Sequence, residues 1–278
     1  MTYIMGHHHV SMYTKDKIAN KHFYQEVLGL KLVKETVNQD NHDMVHLFYG
    51  DAQGTVGTLL TFFELPHAGQ MRKGTDMIAR VGLLVDDEGT LDDFAERLRQ
   101  YDIPTTYGTY RGQPTLQFDD PDHLSLMMVA NNQASLPLEM CQSTNIASEH
   151  RILGLGPIEI HVRDKTTTIE YLTCVLGYNI EKKGNPTILT LDAVGYYTDI
   201  VVVEKSGDVV RPGRGFVHHH ALAVKNHTDL QQIMTIHDTL PGNHSGIIDR
   251  KWFESLYYRQ NGIMYEFATS EPYAVFKA

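Results

Sequence analysis

Phe23-Tyr24-Gln25-Glu26-Val27-Leu28-Gly29-Leu30 returns later in the chain as Tyr171-Leu172-Thr173-Cys174-Val175-Leu176-Gly177-Tyr178. An aromatic residue, a Val-Leu pair and a glycine recur at one spacing, which is more than composition produces. In the first copy, Ile18, Phe23, Tyr24, Val27 and Leu28 follow a helical spacing, and Gly29 is placed to stop the helix. Before this helix, Val10 and Met12 alternate with Ser11 and Tyr13, as in a strand over 7–14. After it, Leu30–Val37 alternates, and Val45–Tyr49 and Thr55–Phe63 follow around the turn-like Gly50–Gly54. The order is β-α-β-β-β.

That order recurs three more times. Over 77–130 a strand (Ile78–Val85) and a helix (Thr90–Tyr101) precede strands at 105–110, 114–118 and 124–129. Over 157–204 the strand is Ile158–Val162 and the helix 166–176, with strands near 178–182, 187–193 and 199–204. The last unit spans 215–270, with a helix at Thr228–Leu240 and strands at Trp252–Tyr258 and Met264–Ala268. Repeated units of this length read as an array. The expected fold is α+β: four βαβββ modules, at about 5–66, 76–131, 152–205 and 214–270, forming two paired-module curved mixed sheets. The polar stretch 131–151 breaks the pattern and reads as the linker between an N-terminal half, 1–135, and a C-terminal half, 150–278. One module is an open half-shell, and two together enclose a cleft suited to a metal and a small ligand.

The 278 residues, 42% hydrophobic and 21% charged, suffice for a sizeable core. A formal charge of −10 argues against nucleic acid or an anionic membrane surface as partner. Two cysteines, Cys141 and Cys174, sit in unrelated contexts, so no disulfide framework is expected. The N-terminal residues lack the cationic and apolar regions of a signal peptide, and no run nears the roughly 18 apolar residues of a membrane span. The expected compartment is reducing and cytoplasmic. Sixteen histidines are the unusual count, and they include two triplets.

The triplets open the first and last units, as His7-His8-His9 and His218-His219-His220. At the place of His220, unit two has Val81 and unit three Ile158, and His161 stands at an odd offset that turns it from the cleft. Units one and four are therefore the expected pair around a shared metal cleft. His9 and His220, with Glu266 of the last strand, are the ligands this alignment selects. They form a triad of two histidines and one carboxylate, which leaves coordination positions open. A triplet near the N-terminus can be a purification remnant, and strand histidines are often hydrogen-bonded core residues. Two triplets at equivalent places, with a carboxylate in an apolar strand where an unpaired charge is costly, favour the metal. His8 and His219 adjoin these ligands and face away unless a bulge turns one of them inward; either suits proton transfer near neutrality. Arg250 suits an anionic ring oxygen, and Tyr257 suits proton donation. His67, His123, His150, His227, His237 and His244 read as surface residues.

Four such units, with Gly6-His7-His8-His9-Val10-Ser11 at the start, resemble the vicinal oxygen chelate superfamily of glyoxalases, bleomycin-resistance proteins and extradiol dioxygenases. The finer resemblance is to ring-cleaving dioxygenases acting on hydroquinones. It rests on Leu28–Asn38, His46–Asp51, Gly54-Thr55-x-Gly57-Thr58, the second triplet, and Asp249-Arg250-x-x-Phe253-x-Ser255-Leu256-Tyr257-Tyr258-Arg259 running to Glu266-Phe267-Ala268-Thr269. The resemblance implies the glyoxalase/extradiol dioxygenase fold. It implies Fe(II), sometimes Mn(II), on His9, His220 and Glu266, with outer roles for His8, Ser11, His219, Arg250 and Tyr257. Unit three lacks the histidine of the catechol-type enzymes, and Gln260-Asn261-Gly262 replaces the usual Pro-Gly-Gly turn. The expected function is metal-dependent opening of a hydroquinone- or catechol-type aromatic with O2. The partners are a small aromatic and O2, without nucleic acid or membrane, and a homodimer is common for such sheets. The rivals are a glyoxalase-like isomerase or thiol transferase using Ni, Zn or Mn, and a non-catalytic drug- or toxin-binding protein.

Overall fold

Sixteen strands and four helices occur among the described residues of the computed structural model, which are 3–37, 39, 43–131, 151–192 and 195–271. The first unit is β1 (Ile4–Thr14), α1 (Lys17–Lys21), β2 (Lys31–Val37), β3 (Val45–Gly50) and β4 (Leu59–Glu64). The second is β5 (Met77–Val85), α2 (Glu88–Gln100), β6 (Thr106–Tyr110), β7 (Gln113–Asp119) and β8 (Ser125–Ala130). The third is β9 (Ile152–Val162), α3 (Lys165–Glu170), β10 (Asn179–Lys182), β11 (Thr187–Thr190) and β12 (Ile200–Glu204). The fourth is β13 (Val217–Val224), α4 (His227–His237), β14 (His244–Asp249), β15 (Glu254–Gln260) and β16 (Ile263–Thr269).

Each helix starts on a side-chain cap. Asp16, Asp87, Asp164 and Asn226 accept hydrogen bonds from backbone N–H groups of the first turn, which have no partner inside the helix. The echoed segments have a shared physical form. Both α1 and α3 widen into a π-helical turn, over His22–Val27 and Tyr171–Val175. The Leu28 and Leu176 N–H groups donate to the carbonyls of Phe23 and Tyr171. Gly29 and Gly177 then take φ of 71° and 79°, where a side chain would be strained.

Strand β14 is a departure from expectation. His244-Ser245-Gly246-Ile247-Ile248-Asp249 has no two-residue alternation, and its pairing with β15 shifts between His244 and Ile247. The strand expected from Thr55 begins only at Leu59, because residues 55–58 form a turn closed by Thr58 N–H donating to the Thr55 carbonyl. The expected 131–151 linker falls outside the described residues except at its two ends.

Both sheets are eight-stranded and mixed. One runs β14-β15-β16-β13-β1-β4-β3-β2, the other β10-β11-β12-β9-β5-β8-β7-β6. The first and last units therefore share one sheet, joined by the antiparallel pair β1–β13, and the middle units share the other, joined by β5–β9. One face of each sheet lies under the helices. Val10, Met12, Leu60 and Phe62 pack with Phe23 and Tyr24, and Val81, Leu83 and Leu126 pack with Leu91 and Phe94, in one contiguous core. Adjacent strand residues point to opposite faces. On the far face of the second sheet, Leu84, Tyr110, Met127, Val129 and Val201 make a separate apolar cluster. On the far face of the first sheet the same layer holds histidines, hydroxyls and a carboxylate. No helix among the described residues is long and apolar enough to cross a membrane.

Candidate metal centre

Strand β13 lies between β1 and β16. Its antiparallel register sets His219 opposite Ser11 and Ala221 opposite His9. Its parallel register sets Ala221 opposite Glu266. Residues 219 and 221 point the same way, so His9, Ser11, His219 and Glu266 share one face. His9 Nε2 lies 3.1 Å and His219 Nε2 2.9 Å from Glu266 Oε2, and the two ring nitrogens are 3.3 Å apart. Among the described residues this is the one group of His, Cys, Asp or Glu whose ligand atoms gather within 4.8 Å. All three residues are buried.

His220, the expected second ligand, is not part of this group; His219 stands in its place. His220 sits opposite Val10 and Tyr265, on the helix-packed face, with its Nε2 2.8 Å from His7 Nδ1. The reason is a one-residue slip between the triplets. The equivalent positions are those seven residues before each helix cap: His9 before Asp16 and His219 before Asn226. That ruler was available in the sequence. In the middle units it lands on Arg80 and Pro157, so the second sheet has no counterpart of either histidine.

The surroundings fix the three side chains. A bulge between His7 and His9 leaves His8 as an extra residue in β1 and lets its Nδ1 meet His9 Nδ1 at 2.9 Å. In the last unit His218 Nδ1 lies 2.8 Å from His219 Nδ1. A neutral ring that offers its Nε2 lone pair carries its hydrogen on Nδ1, so His9 donates to His8 and His219 to His218. Fully buried Ser255 donates to Glu266 Oε1 at 2.5 Å. The other oxygen, Oε2, is buried and accepts no well-directed hydrogen bond despite the two nearby imidazoles. Three potential ligand atoms thus stand within 3.3 Å of one another, which fits a divalent cation.

Protonation states agree with that fit. Burial, reinforced by His9, pushes His8 down to about 3, and burial with His219 pushes His218 down to about 3. Burial also lowers His219. Burial alone would raise Glu266, but the nearby His9 and His219 outweigh it and hold the carboxyl well below its usual range. Neutral imidazoles beside an ionised carboxylate are what a metal ion requires.

A cavity of about 130 Å³ opens on this group. A cavity of about 150 Å³ is known to take up benzene, so the space suits a single ring. Ser11, Arg250 and Tyr257 line it, together with Phe48, Phe63, Trp252 and Phe253. His8 stands behind His9 and outside the lining. Tyr257 pairs with Glu266 across β15–β16, and its ring is 5.6 Å from His219. Burial, with the charge of Glu266, raises its hydroxyl well above the ordinary range, so it stays protonated. The Arg250 guanidinium lies 5.2 Å from the Tyr257 ring.

His46, Phe253, His218 and Ser255 belong to the motifs behind the resemblance but carried no expected role, and they stand at the cavity or beside the cluster. Phe253 places its ring 5.3 Å from His8 and 5.9 Å from His9. His46 alternates with Phe48 on β3, and that shared parity was the available signal. Of the histidines read as surface residues, His237 is instead buried, bonded to Tyr171 and to the Ile233 carbonyl. His150 lies outside the described residues.

Paired βαβββ units around a buried His-His-Glu group define a glyoxalase-like fold with a candidate metal centre. A family model described as the Glyoxalase/Bleomycin resistance protein/Dioxygenase superfamily matches residues 6–128. The chain belongs to that superfamily. It is 36% identical to the "Putative ring-cleaving dioxygenase MhqA" of Bacillus subtilis (strain 168), over 97% of this chain and 88% of that one. It is 25% identical to the chlorohydroquinone/hydroquinone 1,2-dioxygenase of Sphingobium indicum, over 95% of this chain and 84% of the relative. A crystal structure of a "putative dioxygenase" from Bacillus subtilis subsp. subtilis str. 168 superposes with a TM-score of 0.91 at 26% identity, over 98% of this chain and 87% of that one.

Proposed function

We propose that this ring-cleaving dioxygenase opens a hydroquinone-type ring beside a hydroxylated carbon, with O2 as co-substrate and iron(II) held by His9, His219 and Glu266. The observation that carries the reading is the convergence of these three side chains at the buried end of a cavity sized for one ring. A relative that acts on chlorohydroquinone and hydroquinone supports the choice of ring. Two histidines and a carboxylate leave coordination positions free, and iron(II) supplies redox contact between ring and O2 there.

The remaining steps belong to the chain. His8 and His218 take the Nδ1 hydrogens of the ligand histidines and hold both rings in one tautomer. Ser255 holds Glu266 through Oε1 and leaves Oε2 facing the cluster. Arg250 attracts a deprotonated ring oxygen, and the Tyr257 hydroxyl donates a hydrogen bond to the anion as charge develops. Phe48, Phe63, Trp252 and Phe253 grip the ring and keep water out, which strengthens both interactions.

The test is metal analysis of anaerobically purified protein, followed by oxygen consumption with a panel of hydroquinones and catechols. One iron per chain and uptake with hydroquinones are expected. No uptake with any iron-loaded sample sinks the assignment.

A further inference from the structure

Beyond β1, on the side away from β13, lie β4 and then β3. Each step across a sheet is about 4.8 Å, so the His46 backbone stands about 10 Å from β1. His46 lines the same cavity as His9, His219 and Glu266, but at this other end. Its ring lies between Phe48 and Phe63, with centroids at 4.0 and 4.1 Å. Its Nε2 is 3.0 Å from Thr61 Oγ1, which is 2.7 Å from Ser11 Oγ. Among the described residues, Nδ1 has no hydrogen-bond partner.

A ring anchored at the triad by one oxygen presents its second oxygen according to its substitution. A vicinal diol keeps both oxygens beside the triad. A para diol sends the second oxygen to the far end of the cavity, between Phe48, Phe63 and Trp252. A hydroxyl buried against such walls without a partner is costly. Gln39 already donates its amide to the Arg250 carbonyl, Lys251 stands at the exposed rim, and half-buried Thr36 is the cross-strand neighbour of His46 on β2.

We infer that His46 receives the second oxygen of a para-dihydroxylated ring and sets the preference for hydroquinones over rings lacking that oxygen. This rests on the ring-cleaving reading proposed above. Thr61 is a hydroxyl that can donate or accept, so either tautomer of His46 is supported from behind. Nδ1 then accepts from a phenol or donates to a phenolate. The flanking aromatic rings hold the imidazole in place before the ligand arrives, which lowers the cost of binding. Burial, with His9 and His219 adding to it, holds His46 well below its usual value, so the ring is neutral and serves either role.

The test compares hydroquinone with 4-methylphenol, which replaces the distal hydroxyl with a methyl group. Binding to anaerobic iron-loaded protein is measured by calorimetry for the wild type, His46→Phe and His46→Gln. The wild type binds hydroquinone about ten-fold or more tightly than 4-methylphenol, since sites built around a hydroxyl reject analogues lacking it. In His46→Phe that ratio falls to near one, while iron content and 4-methylphenol affinity hold. His46→Gln keeps part of the ratio, and His46→Leu replaces the Phe variant if the latter does not fold. A wild-type ratio near one, or an unchanged ratio in the apolar variant, overturns the inference. Oxygen uptake separates the two failures. No uptake with any aromatic diol defeats the ring-cleaving reading, whereas uptake with an unchanged binding ratio defeats only the role of His46.

Discussion

Between His219 and His220 a single position separates a cluster residue from a core residue, and chemistry alone does not distinguish them. Both are imidazoles on one strand, in equally histidine-rich surroundings. Parity decides, and parity depends on the pairing of β13 with β1 and β16, which is a long-range fact. The presence of a His-His-Glu site was legible because a carboxylate in Met264-Tyr265-Glu266-Phe267 demands a partner. Its membership was legible only from a fixed local mark, and the helix caps at Asp16 and Asn226 are that mark. The two histidines predict opposite phenotypes. His219→Ala removes one of the three proposed ligands and is expected to cut iron affinity by more than the roughly 10–100-fold seen for lost outer partners. His220→Ala is expected to keep near-stoichiometric iron but to lose about 1–3 kcal/mol of stability, because His7 Nδ1 loses its buried partner. Metal content after dialysis and urea unfolding, measured on both variants, check this. Iron loss confined to His220→Ala would reverse the assignment.

Elements were legible where a local signal was strong. The echo at Phe23 and Tyr171 marks two helices that end in the same π-helical turn with the same left-handed glycine. The strands flanking them alternate and are legible for that reason. Strand β14 is not legible, because Gly246 interrupts it and its polar and apolar residues do not alternate. It is a strand only because β15 lies beside it. The echo is thus a statement about backbone geometry, and it makes a prediction. Gly29→Ala and Gly177→Ala each put a Cβ into the left-handed region, which costs roughly 1–2 kcal/mol. Urea denaturation should show that loss in each variant, with iron content unchanged, since neither glycine borders the cavity. A variant of either kind with wild-type stability would mean that the turn does not need its glycine.

At the scale of the molecule, the sheet that joins the first and last units brings His9 within reach of Glu266 from opposite ends of the chain. The cost of that arrangement is a buried layer of imidazoles, and it should show in the pH dependence of the metal-free protein. Burial, opposed in part by Asp199, pushes His7 down to about 4, and burial with His9 pushes His8 down to about 3, from an ordinary value of 6.5. Both are neutral when folded and protonate readily when unfolded. The unfolded chain therefore binds more protons below pH 6.5, and stability falls as pH drops from there towards 4 and then 3. Each proton taken up selectively by the unfolded state steepens the loss by about 1.4 kcal/mol per pH unit. Glu266 acts in a different window. Its carboxyl is held well below its ordinary value of 4.5, so its contribution is present above that value and is lost only at lower pH. Above pH 4.5 the groups at issue are the imidazoles and Asp120, whose carboxyl is pushed up by burial to about 7. The folded state holds that proton as pH falls, so Asp120 offsets the loss from one imidazole, and the remaining buried imidazoles set the net fall. The urea midpoint of metal-free protein should hold between pH 8 and 7 and then fall steeply between pH 6 and 5. Substituting Phe for His8 should make that fall shallower by about one proton. A midpoint flat from pH 7 to 5 would mean that the imidazole layer is not buried neutral in solution.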